Sequence, residues 1–227
     1  MLPHTPHNPP QVFLDQIDPN TIEMPPELTT EQQPGYRERQ HQFLAMTLWM
    51  DDEIRKLHTK LKEQNLLDNT LFVYMADNGF SYRAESKSTP SELGLRTPVI
   101  FDWPGHVPGQ HIDNPTSAIH LYATLLDFAG IKAAGNLPSQ SLKPVIENNK
   151  KPVTEKLFGA SYQAIALHTE NDQTPRPERD IFALYVRDGD WKYVLYLRDV
   201  REEDNASLTI KSGMQPFPTR KAGDEDL

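Results

Sequence analysis

An acid and an amide side chain, Asp77 and Asn78, directly follow the short apolar run 70–76 and precede Gly79. In open α/β sheets, ligands collect beyond the carboxyl ends of buried strands. Carboxylate and amide oxygens suit a hard cation such as Ca²⁺, which takes roughly six to eight oxygens at about 2.3 to 2.6 Å. The two side chains therefore predict part of a calcium shell, and a plain Asn–Gly turn is the alternative interpretation.

Three basic side chains could act on an anion beside such an ion. Lys87 stands ten residues after Asp77, on the loop that returns to the predicted sheet, and its ammonium could screen charge on a transferring sulfuryl or phosphoryl group. His4 and His7 lie among prolines that stiffen the backbone, and a histidine held in this way could protonate a leaving group near neutral pH. An ordinary exposed lysine and surface histidines are the alternatives.

The elements that must position these side chains alternate between helix and strand. The prolines of residues 1–35 predict an extended, irregular opening segment. Apolar residues spaced three and four apart predict an amphipathic helix over 36–65. The unbroken apolar run 70–76 is typical of a strand buried on both faces of a parallel sheet, and 98–103 predicts a second strand. A further helix is predicted to begin near Ser117 and to end before Gly130.

The C-terminal third has a different pattern. A polar stretch around residues 148–152 indicates a boundary between a larger domain, 1–147, and a smaller one, 148–227. Within the smaller domain, aromatic and branched residues at 181–186 and 191–197 flank Asp188-Gly189, which is a strong hairpin signal. The fold class predicted is therefore α/β, with a mostly parallel sheet flanked by helices and a small C-terminal antiparallel sheet.

Composition excludes several classes of function. The chain of 227 residues has a formal net charge of −9, so its overall field repels nucleic acid, and no nucleic-acid partner is expected. It contains no cysteine, which excludes disulfides, thiolate metal sites and thiol nucleophiles within these residues. No apolar stretch is long enough for a transmembrane helix, so no membrane span is expected. No feature of the sequence indicates the oligomeric state.

Several segments, in this order and spacing, resemble the sulfatase family of the alkaline-phosphatase-like superfamily. They are Pro3-His4-Thr5-Pro6, Leu67-Asp68-Asn69-Thr70, Ala76-Asp77-Asn78-Gly79, the separated positions Lys87, Glu92, Gly94, Arg96 and Pro98, then Trp103-Pro104-Gly105, the helix end 125–131 and the segment 187–193. The resemblance covers residues 1–135 well and extends to the small C-terminal sheet. It implies an alkaline-phosphatase-like fold and hydrolysis of sulfuric esters.

The resemblance also implies roles for individual residues. Asp77 and Asn78 would be two ligands of a calcium ion. Lys87 would contact the sulfate and the ester oxygen, and His4 would contact the sulfate or assist the leaving group, with His7 a weaker candidate for that role. The substrate would be a sulfated small molecule or glycan. Family members are mostly exported or lysosomal, so a periplasmic, extracellular or lysosomal location is the corresponding expectation.

The departures from the family pattern concern the other half of the site. The family's Cys-x-Pro-x-Arg or Ser-x-Pro-x-Arg nucleophile, which becomes formylglycine, and its pair of acidic metal ligands are not found in these 227 residues. We therefore expect a fragment that lacks the N-terminal nucleophile region and the extreme C-terminus, has an incomplete calcium shell and is inactive alone. His120 also stands where the family usually has an aspartate.

Two other functions remain open on sequence grounds. A phosphomonoesterase, phosphodiesterase or phosphonate hydrolase of the same superfamily would also bind a tetrahedral anion through metal ions and cationic groups. A non-catalytic chain, either a pseudoenzyme or a module that binds sulfated glycans, is the second alternative. The first would prefer phosphate to sulfate, and the second would hold no ordered metal at Asp77 and Asn78.

Overall fold

The computed structural model describes residues 4, 6–26, 28–79, 87, 89–133, 135, 138–148, 156–162, 181–199 and 219–227. The described residues fall into two compact units, 4–70 and 71–227, and each is considered by itself. The sequence-based boundary between 1–147 and 148–227 rests on composition and stays a prediction. No helix among the described segments combines the length and the apolar character that a membrane span requires.

The first unit is built on one long helix. The four-residue helix α1 (Gln11–Leu14) begins after Pro10, and α2 (Gln33–Glu63) runs for 31 residues, which confirms the helix predicted over 36–65. Short 3-10 turns lie at Pro19–Thr21 and Leu67–Asn69. The expectation of an extended segment over 1–35 is wrong at α1, because the prolines of this region leave residues 11–18 free to form a helical turn.

Packing against α2 holds the residues that precede it. Buried Ile22 and Tyr36 form a small core with partly buried apolar neighbours. The Nε2 atom of His41 lies 3.1 Å from the carbonyl oxygens of both Leu14 and Ile17, and Nη1 of Arg37 donates to Pro19 O over 2.7 Å. The polar side chains of α2 therefore add hydrogen bonds to backbone carbonyls at the end of α1 and in the first 3-10 turn.

The second unit contains two sheets. In the first, β1 (Phe72–Met75) pairs with β2 (Val99–Asp102), and the short helix α3 (Glu92–Leu95) precedes β2. The pairing is antiparallel, with Phe72 opposite Asp102, so the parallel pairing expected for this strand is wrong for the described pair. All four residues of β1 are only partly buried, so the predicted burial on both faces is also not met, and an unbroken apolar run does not by itself fix strand direction.

A helical segment and its hydrogen bonds follow β2. A 3-10 turn at Ala118–His120 leads into α4 (Leu121–Phe128), which confirms the predicted helix, and Ser117 caps the turn by accepting from Ile119 N. Helix α5 (Lys143–Asn148) comes next.

Three hydrogen bonds form what we name the 120–142 latch. Two of them join α4 and the turn before it to the chain before α5, and the third links the two latch residues of the helical segment. Gln140 N donates to Nδ1 of His120 over 3.1 Å, Leu142 N donates to Oγ1 of Thr124 over 2.9 Å, and that hydroxyl donates to His120 O over 2.7 Å. His120 and Thr124 are both buried, so these hydrogen bonds replace water at groups that would otherwise be unpaired. Burial also lowers the pKa of His120 and keeps its ring neutral, as an acceptor at Nδ1 requires.

The second sheet is antiparallel throughout, in the order β3 (Lys156–Tyr162), β4 (Ile181–Asp188), β5 (Trp191–Tyr196) and β6 (Glu225–Asp226). This is the predicted small antiparallel sheet. The predicted hairpin is also confirmed, because Asp188 pairs with Trp191 and Gly189 adopts a φ of 58° in the turn. Buried Ala183, Val194 and Tyr196 lie on one face of this sheet, where partly buried Tyr185 packs against them.

Candidate functional site

The Asp77–Gly79 turn presents two oxygen atoms beyond the end of β1. Asp77 is exposed and Asn78 is partly buried. The backbone N–H of Asn78 donates to Asp77 Oδ1 over 3.0 Å, and the side-chain Nδ2 of Asn78 donates to Gly79 O over 2.8 Å. These bonds engage one carboxylate oxygen and the amide nitrogen. The second carboxylate oxygen and the amide oxygen are the atoms that they leave for an ion.

Gly79 brings this turn into backbone contact with α3. Its N–H donates to Gly94 O over 2.8 Å, and a Cβ built on Gly79 would lie only 2.4 Å from Leu93 O. A backbone carbonyl oxygen cannot move aside in the way that the end of a flexible side chain can. Only glycine therefore fits at this contact. The position of the Asp77–Gly79 turn therefore depends directly on the position of α3.

Helix α3 is in turn held by the small antiparallel sheet. Oε2 of Glu92 lies 2.7 Å from Nη1 of Arg187, and Oε1 of Glu92 lies 3.0 Å from Nζ of Lys192. The same ammonium donates to Pro90 O over 2.7 Å. We call Glu92, Arg187 and Lys192 the Glu92 clamp. It joins the first residue of α3 to strands β4 and β5, about one hundred residues later in the chain.

The clamp keeps the Glu92 carboxylate ionised. Partial burial acts to raise the pKa of Glu92, but the hydrogen bond and charge of Lys192, together with the charge of Arg187, outweigh burial and lower that pKa overall. Burial and the nearby Glu92 charge raise the pKa of Tyr185, which packs on the same face of the sheet. Near neutral pH the clamp therefore consists of one anion shared by two cations.

The donor set at the turn is only part of a metal shell. A carboxylate oxygen and an amide oxygen are the atoms that Ca²⁺ prefers, so the turn fits such an ion chemically. Within the part of the chain that the structure describes, no group of three or more histidine, aspartate or glutamate side chains could hold a metal ion. The turn therefore offers two oxygen atoms to an ion, and a complete shell would require further ligands.

Comparison with known proteins identifies the family. The family model described as sulfatase matches residues 1–131 of this chain. The chain belongs to the sulfatase family. The N-acetylglucosamine-6-O-sulfatase of Bacteroides thetaiotaomicron is 27% identical to it over 171 residues, covering 74% of this chain and 29% of that protein.

Two solved structures show the corresponding fold. One is a protein in complex with its substrate D-glucosamine-2-N,6-O-disulfate, with a TM-score of 0.54 and 25% identity over 74% of this chain and 33% of that one. The other, a phosphonate monoester hydrolase from Silicibacter pomeroyi, has a TM-score of 0.58 and 22% identity over 81% of this chain and 37% of that one. The alkaline-phosphatase-like fold class is confirmed. Sulfatases act on sulfuric esters and are generally metal-dependent. This sulfatase chain spans 30% or less of the length of the curated relatives that it matches.

The predicted site residues of this sulfatase chain fall in both units. Asp77 and Asn78 are adjacent in the turn, and Lys87 is exposed in a turn of the same unit. His4 is exposed in the first unit, and His7 lies with its ring centroid 5.6 Å from that of Phe43. The meeting of His4 with Lys87 and the Asp77–Gly79 turn stays a prediction.

Sequence reasoning missed the Glu92 clamp. Glu92 and the segment 187–193 were each recognised as family-like, but nothing in the linear pattern indicates that they contact each other. One signal was available. The hairpin register places Arg187 opposite Lys192, and two like charges at opposite positions repel unless an anion lies between them.

Proposed function

We propose that this chain carries part of the calcium and sulfate site of an enzyme that hydrolyses sulfate monoesters. Membership of the sulfatase family supports the reaction class. The observation that carries the proposal is the Asp77–Gly79 turn, in which internal hydrogen bonds leave a carboxylate oxygen and an amide oxygen for an ion. The substrate class is a sulfated small molecule or glycan, in keeping with the name of the N-acetylglucosamine-6-O-sulfatase relative.

Each site residue then has a distinct task. Asp77 and Asn78 hold the ion through one oxygen each. The Lys87 ammonium is exposed in its turn, where a sulfate oxygen can reach it, and it opposes the negative charge of the sulfate group. For His4 we keep the role that the family resemblance implies, which is to contact the sulfate or to assist the leaving group. When bound, the calcium ion supplies Lewis-acid polarisation of the sulfate oxygens.

Covalent catalysis requires a nucleophile that these residues do not provide. These residues contain neither a cysteine nor a Ser-x-Pro-x-Arg motif from which formylglycine could form. We therefore expect binding of ion and sulfate by the isolated chain without turnover. An aryl sulfate assay tests this expectation. Hydrolysis by the 227-residue chain that disappears in Lys87→Ala would overturn it.

Calorimetric titration with CaCl₂ tests the metal assignment. The wild-type chain is expected to bind one ion weakly, because two protein oxygens cover only part of a shell of roughly six to eight. Asp77→Ala should weaken binding at least about tenfold, since an uncompensated carboxylate contributes most of the attraction. Asp113→Ala is the matched control, because Asp113 is an exposed acid of the same unit outside the turn. Equal calcium affinity in both variants would refute the metal assignment.

A second titration tests the anion. With calcium present, the chain is expected to bind inorganic sulfate more tightly than phosphate, and Lys87→Met should weaken sulfate binding several-fold. Preference for phosphate would support the phosphoesterase or phosphonate hydrolase alternative, for which the phosphonate monoester hydrolase offers only a shared fold. Failure to bind calcium at all would support the non-catalytic alternative.

A further inference from the structure

The Glu92 clamp is unusual because it places two cations directly opposite each other. Arg187 and Lys192 are cross-strand partners on β4 and β5. Their side chains are 27% and 16% exposed, so water screens their mutual repulsion only in part. Like charges at opposite positions destabilise a sheet. Glu92 lies between them and offers one carboxylate oxygen to each, which converts a repulsive pair into a receptor for one anion.

The receptor lies on the face of the sheet that contacts Glu92 and Pro90, opposite the exposed side chain of Trp191. Side chains alternate along a strand, so Arg187 shares a face with Tyr185 and Ala183, while Trp191 lies on the opposite face and is 67% exposed. The Lys192 ammonium makes a second bond to the carbonyl of Pro90, which is itself fully buried. One lysine thus fixes both a side chain and the backbone just before α3.

A short covalent and hydrogen-bonded path leads from this receptor to the Asp77–Gly79 turn. Glu92 is the first residue of α3, and Gly94 in the same helix accepts the Gly79 N–H over 2.8 Å. Only Leu93 separates the residue with the clamped carboxylate from the residue with the accepting carbonyl. A helix of four residues has little stability of its own, so its position depends on contacts such as the clamp.

We infer that Arg187 and Lys192 are positioning residues, which act through Glu92 and α3 to hold the Asp77–Gly79 turn in the geometry that binds the metal ion. The link to calcium rests on the proposed function. The mechanical link from the small sheet to Gly79 is independent of that function. In this assignment, strands β4 and β5 set the geometry of a turn whose residues lie more than one hundred positions earlier in the chain.

The test uses the double variant Arg187→Met/Lys192→Met, which keeps a flexible, unbranched apolar stem at each position and removes both cations. The first measurement is amide hydrogen exchange of Gly79, followed by NMR. We expect exchange about tenfold faster than in the wild type, which corresponds to about 1.4 kcal/mol. The Gly223 N–H, which donates to Tyr196 O within the small sheet, is the internal reference and should keep its rate. The second measurement is calcium affinity, which should weaken about tenfold.

Two further variants separate positioning from general stability. Lys156→Met removes an ion pair with Asp188 from the same sheet, outside the clamp, and should change neither Gly79 exchange nor calcium affinity. Lys192→Arg retains a cation of similar reach and should restore most of the Gly79 protection lost in Lys192→Met.

The inference is overturned if Gly79 exchange is unchanged in the double variant, or if Gly79 and Gly223 accelerate by the same factor. If the wild type binds no calcium, the proposed function fails while the exchange measurement still decides the mechanical link. If the wild type binds calcium and the double variant binds it equally well, the proposed function survives and the positioning role is refuted.

Discussion

Replacing Gly79 with alanine should damage the candidate site more than a single methyl group suggests. The new Cβ would lie 2.4 Å from Leu93 O, 2.9 Å from the Leu93 carbonyl carbon and 3.0 Å from that of Gly94. Ordinary contact begins near 3.4 Å, so α3 and the turn must separate by about 1 Å. All three atoms belong to the backbone, and no rotamer change can relieve the overlap.

The cost has two parts. Overpacking a well-packed contact typically costs about 1–3 kcal/mol. Separation of the two segments also lengthens the bond from Gly79 N to Gly94 O, now 2.8 Å, and a lost backbone hydrogen bond adds about 1 kcal/mol. We therefore expect Gly79→Ala to lower the free energy of unfolding by about 2–4 kcal/mol and to weaken calcium binding together with stability.

Urea denaturation followed by circular dichroism measures this change. Gly109→Ala is the matched control, because a Cβ there meets no atom within 4 Å and the backbone does not require positive φ. It should leave stability unchanged or raise it by a few tenths of a kcal/mol, since alanine restricts the unfolded chain. Similar denaturation midpoints for Gly79→Ala and Gly109→Ala would refute the close contact on which this reasoning depends.

Three further predictions concern the second unit. Burial lowers the pKa of His120 below its usual 6.5, so as the pH falls the unfolded chain takes up a proton at His120 before the folded chain does. The free energy of unfolding should therefore fall as the pH drops from about 7 to about 5. The fall should be smaller in His120→Asn, because asparagine keeps a hydrogen-bond acceptor but cannot titrate. Thr124→Val should lower the free energy of unfolding, measured by urea denaturation, by about 2–3 kcal/mol, because it removes the hydroxyl of the 120–142 latch. Thr124→Ser should lower it less, because serine retains the hydroxyl. Gly159→Ala should lower the melting temperature, since its Cβ would lie 2.1 Å from the Tyr185 ring and displace it, and an unchanged melting temperature would contradict that contact.

Local patterns predicted those elements whose signal lies within one stretch of chain. The three- and four-residue spacing of apolar side chains predicted α2, because a helix that buries one face requires that period. The Asp188-Gly189 signal predicted the β4–β5 hairpin, because few residues tolerate the positive φ that Gly189 adopts. The Asp77–Gly79 turn was predicted by its position after an apolar run. Each of these follows from the geometry of neighbouring residues.

Features that depend on distant contacts were not predicted. The antiparallel pairing of β1 with β2 follows from how the chain returns over more than twenty residues, and such a connection permits either direction. The Glu92 clamp joins residues about one hundred positions apart, and charged residues at 92, 187 and 192 are ordinary in sequence. Only the three-dimensional arrangement distinguishes a shared anion from solvated surface charges.

Net charge and local charge act in opposite directions on a sulfated substrate. The chain carries −9 overall, so its long-range field repels a sulfate ester approaching through water. That field is screened within about 8 Å at physiological ionic strength, whereas a contact ion pair at a partly buried site is screened much less. Binding must therefore depend on the few groups within contact distance. Arg187 and Lys192 are already committed to Glu92, so in our proposal the attraction comes from an ion at Asp77 and Asn78 together with Lys87.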